Sequence, residues 1–334
     1  MTIHDIYSQT TRRFLQPVVH LLDDPDVSEV LINGPDTVYA ERRGRLSLQS
    51  DVHFEDEAAL MAAARNIAEF VGRPIRSGIH SVDARLPDGS RVHIIMPPSS
   101  RIGICLSIRK FNTAKLSLRQ LVKLGSLDAS MAEYLIKSVQ NHENVIVSGG
   151  TGTGKTSLLN ALSAEIDPQE RIVVIEDSSE LQLQLPHTIY LEAQPPDRSG
   201  KGAVTIRDLF VDSLRMRPDR ILVGEVRRGE ALDLIQSMIS GHRGAMTTVH
   251  ASTPRDAAVR LETLSLMGGV SIPAHVARSQ VASAIDVVVQ ISRSPDGRRG
   301  VNRITRCHGL TESADGIADY HLEDVYVQKI SSEL

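Results

Sequence analysis

One eight-residue segment constrains the fold of this chain more than any other: Gly149-Gly150-Thr151-Gly152-Thr153-Gly154-Lys155-Thr156. An apolar run at residues 145–147 precedes it and a helix-forming stretch follows, which predicts a buried strand, a tight turn and a helix. Glycines let backbone N–H groups close around phosphate oxygens, and the helix N-terminus adds partial positive charge. Lys155 can reach the β- and γ-phosphates, and the Thr156 hydroxyl can ligate Mg²⁺. The segment therefore predicts nucleotide binding, but it does not indicate which process the nucleotide would power.

The pattern around this segment predicts an α/β architecture with two domains. Short apolar runs at residues 144–147, 172–175, 221–223, 246–249 and 287–291 alternate with helical stretches. Continuous apolar strands between helices are typical of a parallel sheet that is covered on both faces.

The N-terminal part of the chain has a different pattern. Helices are expected over residues 3–22 and 55–71, and short strand-like runs lie between and after them. We therefore predict an N-terminal α+β domain over residues 1–112, a polar linker over 113–125 and a phosphate-binding α/β domain over 126–334.

Composition argues against several classes of protein. The 334 residues carry a formal net charge of −4 and only 3% aromatic residues, with no Trp. The chain therefore has no overall positive charge to attract nucleic-acid backbones and few aromatic rings on which bases could stack, which disfavours nucleic-acid binding. Two cysteines cannot form a disulfide framework or a four-ligand zinc site. Because no apolar run approaches the ~18 residues of a membrane helix, we predict a cytoplasmic protein that meets membranes only through a partner.

Polar side chains follow three of the predicted parallel strands. Glu176 comes after the run at 172–175, Glu225 after the run at 221–223, and His250 after the run at 246–249. Ligands of open α/β sheets bind outside the carboxyl ends of the strands, so these groups could organise Mg²⁺ or an attacking water. The alternative is that each strand simply becomes polar as it leaves the core, and the motif alone leaves both readings open.

A predicted hairpin in the N-terminal domain opposes two arginines. Pro87-Asp88-Gly89 suits a three-residue hairpin loop, which places Arg85 directly opposite Arg91 on one face. Like charges in such a pair destabilise a sheet unless an anion lies between them, and a triphosphate is a natural candidate. A salt-screened surface pair remains the alternative. A similar turn at residues 294–297 is expected to be an exposed hairpin tip.

Three boxes give the chain a family resemblance. VVIEDSSELQL (173–183), RPDRILVGEVR (217–227) and GHRGAMTTVHA (241–251) resemble the Asp, Walker B and His boxes of the secretion ATPase superfamily of type II and type IV secretion, type IV pili and archaeal flagella. Residues 82–92, 184–209 and 253–264 are most similar to the Tad/Flp pilus assembly ATPases of the CpaF/TadA type. The resemblance covers about residues 20–310.

The resemblance implies a homohexameric ring of two-domain subunits, PAS-like and then RecA-like, with ATP and Mg²⁺ between the domains. It implies a cytoplasmic motor, peripheral at the inner membrane, that works on a platform protein there. The residues that it assigns are Gly149, Gly150, Thr151, Gly152, Thr153, Gly154, Lys155, Thr156, Ser157 and Arg109 for nucleotide contact, Glu225, Glu176, Arg85, Arg91 and His250 for catalysis, and Thr156, Glu176 and Glu225 for Mg²⁺.

The resemblance does not identify which secretion or pilus machine the chain would serve. The usual Gly-Glu-Cys-Arg of Tad-type members is Gly-Glu-Val-Arg here, at residues 224–227, and the chain length is closer to that of traffic ATPases of conjugation-type secretion. Assembly and retraction of a fibre are both compatible with the motifs. The alternatives from other classes are a nucleic-acid-stimulated RecA-like motor, a nucleotide-gated binding module and a small-molecule kinase.

Overall fold

The computed structural model describes residues 3–42, 44–111, 116–194, 196, 200–312 and 318–328. It divides into two compact units, Met1–Thr113 and Ala114–Leu334. Each unit combines helices with one sheet, which confirms the predicted α/β class. Within the described part of the chain, no helix combines the length and apolar character needed to cross a membrane.

The first unit is built on a six-stranded antiparallel sheet with the strand order β3-β2-β1-β6-β5-β4. Its strands are β1 (Val27–Asn33), β2 (Val38–Arg42), β3 (Arg45–Leu48), β4 (Ser81–Arg85), β5 (Arg91–Ile95) and β6 (Cys105–Arg109), and its helices are α1 (Ile3–Phe14), α2 (Val19–Asp23) and α3 (Glu57–Phe70).

Alternation along the strands of the first unit separates a buried face from an outward face. Val82 and Ala84 on β4 are buried, whereas Arg85 is only half-buried. The predicted helix over 55–71 is confirmed as α3, whose N-cap Asp56 accepts a hydrogen bond from the Ala59 N–H. The single helix expected over 3–22 is wrong, because Pro17 lacks a backbone donor and a 3₁₀ turn over Gln16–Val18 separates α1 from α2.

The second unit contains an eight-stranded sheet with the order β14-β13-β12-β7-β11-β10-β8-β9, parallel from β12 to β9. Its strands are β7 (Val145–Ser148), β8 (Ile172–Glu176), β9 (Thr188–Glu192), β10 (Arg220–Val223), β11 (Met246–Val249), β12 (Val287–Arg293), β13 (Arg299–Glu312) and β14 (Ala318–Val327). Its helices are α4 (Leu118–Lys123), α5 (Ala129–Gln140), α6 (Lys155–Ser163), α7 (Ile206–Ser213), α8 (Glu230–Ile239), α9 (Pro254–Leu266) and α10 (Ala274–Ala284).

Both faces of the second sheet are covered, as continuous apolar strands predict. Every residue of β7, β8, β10 and β11 is buried. Val145 and Val147 pack with residues of α4, α5 and α6 on one face, whereas Ile146 packs with residues of α7 to α10 on the other. The four central strands are therefore enclosed between two apolar layers, and ligands can reach them only at their ends.

Several elements differ from the sequence expectations. The predicted linker over 113–125 contains helix α4, which a Ser117–Gln120 capping box starts and whose Leu118 and Leu121 are buried. Residues 112–115 lie outside the described part of the chain. The edge strand β9, helices α5 and α10, and most of the long β13–β14 hairpin were not predicted, although the buried residues of α5 recur at helical spacing.

Candidate functional site

The glycine-rich segment forms a turn between β7 and α6 that requires glycine at three positions. Gly152 and Gly154 have φ angles of 70° and 99°, in the left-handed region that favours glycine. Gly149 has no room for a side chain, because a methyl group there would collide with the Ile291 carbonyl oxygen and lie 2.8 Å from Thr153 Oγ1. Glycine at these three positions therefore sets the path of the loop.

The side chains of the turn fold onto its own backbone. Lys155 is buried, and its Nζ donates to the carbonyl oxygens of Gly149 at 3.0 Å and Gly150 at 2.8 Å. Thr153 Oγ1 also donates to the Gly150 carbonyl, at 2.9 Å. Thr151 is exposed on the loop, and Ser157 lies in the first turn of α6. The ammonium group of Lys155 is thus already held at the loop where phosphate oxygens would compete for it.

Glu176 is a buried carboxyl at the end of β8. Its side chain accepts hydrogen bonds at Oε1 from the N–H groups of Glu180 and Leu181, both at 3.0 Å. Gly224 packs against it so closely that a methyl group at that position would lie 2.9 Å from Glu176 Cγ. Burial raises the pKa of Glu176 to about 7, more than the two hydrogen bonds lower it.

Glu180 links the loop to this carboxyl. Thr156 Oγ1 donates to Glu180 Oε2 at 3.2 Å, and the Glu180 N–H is one of the two donors to Glu176. Glu180 is not among the site residues predicted from the sequence. The available signal was a further acid in the polar loop that follows Glu176 and Asp177.

Glu225 is hydrogen-bonded to Arg227 and lies close to His250, although its oxygen that faces His250 has no hydrogen-bond partner among the described residues. One carboxylate oxygen lies 2.7 Å from Arg227 Nη2, and the other lies 2.8 Å from His250 Nε2. Arg227 also pairs with Asp177 at 2.5 Å, and its contact with Glu225 raises the pKa of its guanidinium. Burial, together with the charge of Lys155, lowers the pKa of His250. Glu225 and His250 meet because β10 and β11 are adjacent and parallel.

The residues at this edge suit a nucleotide that arrives with Mg²⁺. Backbone N–H groups, the Lys155 ammonium, the Thr156 hydroxyl and carboxylates are the donors and hard oxygen ligands that phosphates and Mg²⁺ prefer. Among the described residues, no group of three His, Cys, Asp or Glu side chains could hold a metal ion by itself. Mg²⁺ at nucleotide sites is usually held by one or two protein oxygens together with the phosphates.

The predicted arginines of the first unit lie in one row. Arg85 on β4 is opposite Arg91 on β5, which confirms the predicted hairpin register. Arg109 on β6 is opposite Arg91, and Glu29 on β1 is opposite Arg109, with 4.0 Å between Arg109 Nε and Glu29 Oε1. Three guanidinium-bearing residues therefore occupy adjacent strands of one sheet.

The second Pro-Asp-Gly turn is more than the exposed tip that the sequence predicted. Arg298 is at the tip and pairs with Asp296, as an exposed hairpin end would. Arg299, however, begins β13 and lies opposite Arg293 at the end of β12. Both arginines adjoin the glycine-rich turn, and neither was singled out as a site residue.

Comparison with known proteins is consistent with this geometry. The family described as "Type II/IV secretion system protein" matches residues 12–317. A "Putative conjugal transfer protein" of Mycobacterium tuberculosis is 37% identical over 309 residues, 91% of this chain and 87% of that protein. The type IV secretion system protein PtlH of Bordetella pertussis is 36% identical, over 84% of this chain and 89% of its own length.

A solved structure shares the fold. The ATPase DotB of Legionella pneumophila superposes with a TM-score of 0.63 at 19% identity, covering 87% of this chain and 79% of that one. At that identity the likeness concerns the fold alone. The match over most of the chain and the identities of its relatives show that the chain belongs to the type II/IV secretion system protein family.

Proposed function

We propose that this chain is a Mg²⁺-dependent ATPase that drives a type II or type IV secretion machine or a related pilus. The observation that carries the proposal is that a Lys155-bearing glycine loop and the strand-end carboxylate Glu225 follow β7 and β10 at the same edge of one parallel sheet, on either side of β11. Relatives named as conjugal transfer and type IV secretion proteins support the same assignment.

Glu225 is the proposed catalytic base. Hydrolysis needs a group that orients a water in line with the γ-phosphate and accepts its proton. Arg227 donates a hydrogen bond to one oxygen of Glu225 at 2.7 Å, which orients the carboxylate before substrate arrives, and His250 Nε2 lies 2.8 Å from the other oxygen. A carboxylate that is already oriented is an effective proton acceptor, because it does not have to reorient when the transition state forms.

Lys155 and Thr156 are the proposed phosphate and Mg²⁺ contacts. Lys155 exchanges the carbonyls of Gly149 and Gly150 for phosphate oxygens, and Thr156 exchanges Glu180 for the cation. Bound Mg²⁺ would neutralise charge that develops on the phosphates. Glu176, buried behind Glu180, then favours its ionised form, because a nearby cation lowers a carboxyl pKa.

The arginine row of the first unit is the proposed source of additional positive charge in catalysis. Arg85, Arg91 and Arg109 would contact the phosphates of a nucleotide held by the second unit of the same chain or of a neighbouring one. We propose that six chains form the working ring, which acts on an inner-membrane platform protein from the cytoplasmic side. Assembly of a Tad-type pilus, its retraction, and conjugation-type secretion are the candidate outputs.

The test is Mg-ATP turnover per subunit across a range of protein concentrations, with the molecular mass measured alongside. The proposal predicts turnover that rises with concentration as rings assemble. A constant rate in a monomer would contradict a site completed between subunits. Absence of turnover at every concentration would contradict the ATPase itself.

A nucleic-acid motor is the alternative that the same assay addresses. The proposal predicts that added DNA leaves turnover unchanged, because the chain carries a net charge of −4 and few aromatic residues. Salt-sensitive stimulation of turnover by DNA would favour that alternative.

A further inference from the structure

The hairpin between β12 and β13 brings two arginines to the glycine-rich turn within the second unit. A methyl group built at Gly152 would lie 3.8 Å from Arg293 Nη1, and one at Gly154 would lie 3.7 Å from Arg299 Cδ. Gly152 and Gly154 are the residues whose backbone conformation shapes the turn. A side chain added to the turn would therefore contact the Arg293 guanidinium and the Arg299 side-chain stem, so both arginines lie next to the phosphate-binding turn.

Sheet register explains this placement. Strand β12 runs parallel to β7, and the last pair between them is Gln290 with Ser148. Strand β7 ends there, but β12 continues to Arg293, so its last three residues run alongside the turn. Gln290 fixes the register, because its side chain accepts a hydrogen bond from Ser148 Oγ and donates to the Ala251 carbonyl at 3.2 Å.

The arginines reach the turn from the side that carries no catalytic carboxylate. Strands β11, β10 and β8, which lead to His250, Glu225 and Glu176, lie on one side of β7, whereas β12 lies on the other. Across the hairpin Arg293 and Arg299 are directly opposed, an arrangement that an anion between like charges stabilises.

We propose that Arg293 and Arg299 bind the α- and β-phosphates of the nucleotide, from the side of the turn opposite Glu225. The inference rests on the proposed nucleotide binding and extends it to two residues of the same unit. Guanidinium groups bind phosphate oxygens through charge-assisted, often bidentate hydrogen bonds. Because ADP keeps both phosphates, the two arginines hold substrate and product alike and contribute to affinity more than to the rate of hydrolysis.

The test is the Kd of the full chain for ADP, measured by calorimetry. We expect Arg293→Gln and Arg299→Gln each to weaken ADP binding about tenfold and the double variant about a hundredfold. Arg298→Gln, from the same hairpin, is the matched control and should stay within about twofold, since exposed pairs such as Arg298–Asp296 contribute little. Unfolding temperatures without ligand show whether each variant keeps its fold.

Two further measurements separate ligand contact from a structural effect on the turn. Inorganic pyrophosphate, used as a competitor of ADP, should lose affinity in the double glutamine variant as ADP does. The lysine variant Arg293→Lys/Arg299→Lys should recover part of the affinity, because it keeps the charge but not the planar fork. Loss of ADP binding with pyrophosphate binding intact would contradict the phosphate assignment, and so would a lysine variant as weak as the glutamine variant.

The outcomes distinguish this inference from the proposed function. If the unmodified chain binds no ADP, the proposed nucleotide binding fails and the inference fails with it. If the unmodified chain binds ADP and the double glutamine variant binds it equally well, only the role of the two arginines is overturned.

Discussion

The two units of this chain carry the same hairpin sequence, Arg-x-Pro-Asp-Gly-x-Arg, at residues 85–91 and 293–299. The two turns have the same internal hydrogen bonds: Gly89 N–H donates to the Leu86 carbonyl, and Gly297 N–H donates to that of Ser294, both at 2.9 Å. Each glycine has a positive φ, 89° and 92°. In both hairpins the outer arginines are directly opposed.

What differs is the neighbour that each hairpin meets. In the first unit, Arg85 and Arg91 continue into a row with Arg109 across a sheet face. In the second unit, β12 extends beyond the end of β7, so Arg293 and Arg299 lie next to the glycine-rich turn. The local hairpin motif thus determines that the two arginines are directly opposed. The order of strands in the sheet determines which other residues lie next to them. We propose that the first pair acts on the rate of hydrolysis and the second on the affinity for nucleotide.

Removing the first pair should have the largest effect. We expect Arg85→Gln/Arg91→Gln to lower Mg-ATP turnover about a thousandfold, in the range of arginines that complete a phosphate site. Steady-state kinetics and ADP calorimetry on the same preparation measure the two parameters. Arg65→Gln, an exposed arginine of α3, is the control. A loss of ADP affinity that accounts for the whole loss of rate would break the division of roles.

The buried carboxyl of Glu176, in the second unit, should make the free energy of unfolding depend on pH. Burial raises the pKa of Glu176 from 4.5 to about 7, so the folded chain keeps a proton that the unfolded chain has released. The free energy of unfolding that this carboxyl contributes therefore falls as pH rises through that interval, by up to about 3 kcal/mol. Glu176→Gln has no such titration.

The measurement is denaturant unfolding of both proteins, free of metal and nucleotide, at pH 5 and pH 8. The stability of Glu176→Gln relative to the unmodified chain should rise with pH. Glu133→Gln, at an exposed carboxyl on α5, serves as the control for an unrelated Glu-to-Gln change. Parallel pH profiles for Glu176→Gln and the unmodified chain would show that the carboxyl is not protonated in the folded state.

Substituting the glycine at the same position of each hairpin should have a smaller effect and compares the two hairpins directly. Alanine at φ angles of 89° or 92° is strained, so Gly89→Ala and Gly297→Ala should each lower the free energy of unfolding by about 1–2 kcal/mol. At Gly89 the added methyl would also lie 3.2 Å from Phe111 Cδ1. Only Gly297→Ala should also weaken ADP binding, because only its hairpin adjoins the phosphate-binding turn. Equal effects on ADP binding would remove the distinction between the hairpins.

The comparison also shows which parts of the structure a sequence can predict. The strand–turn–helix around Lys155 and the register of Arg85 with Arg91 follow from local rules of glycine conformation and hairpin geometry. The strand-end positions of Glu176, Glu225 and His250 follow from apolar runs that stop abruptly.

Contacts between distant segments could not be predicted in this way. Arg293 reaches the turn only because β12 pairs with β7, about 140 residues earlier in the chain, and passes its end. The Thr156–Glu180 contact likewise depends on how the loop after β8 folds back over α6. Helix α4, within the predicted linker, is stabilised by burial of Leu118 and Leu121 rather than by its own short pattern.

The central claim, that Glu225 drives hydrolysis at this edge, is tested most directly by Mg-ATP turnover of Glu225→Gln beside the unmodified chain and Glu133→Gln. The account predicts that Glu225→Gln binds ATP with an unchanged Kd and hydrolyses it at least about a hundredfold more slowly, since general-base catalysis contributes that much. Glu133→Gln should match the unmodified chain. A Glu225→Gln protein that hydrolyses ATP at the unmodified rate would contradict the account.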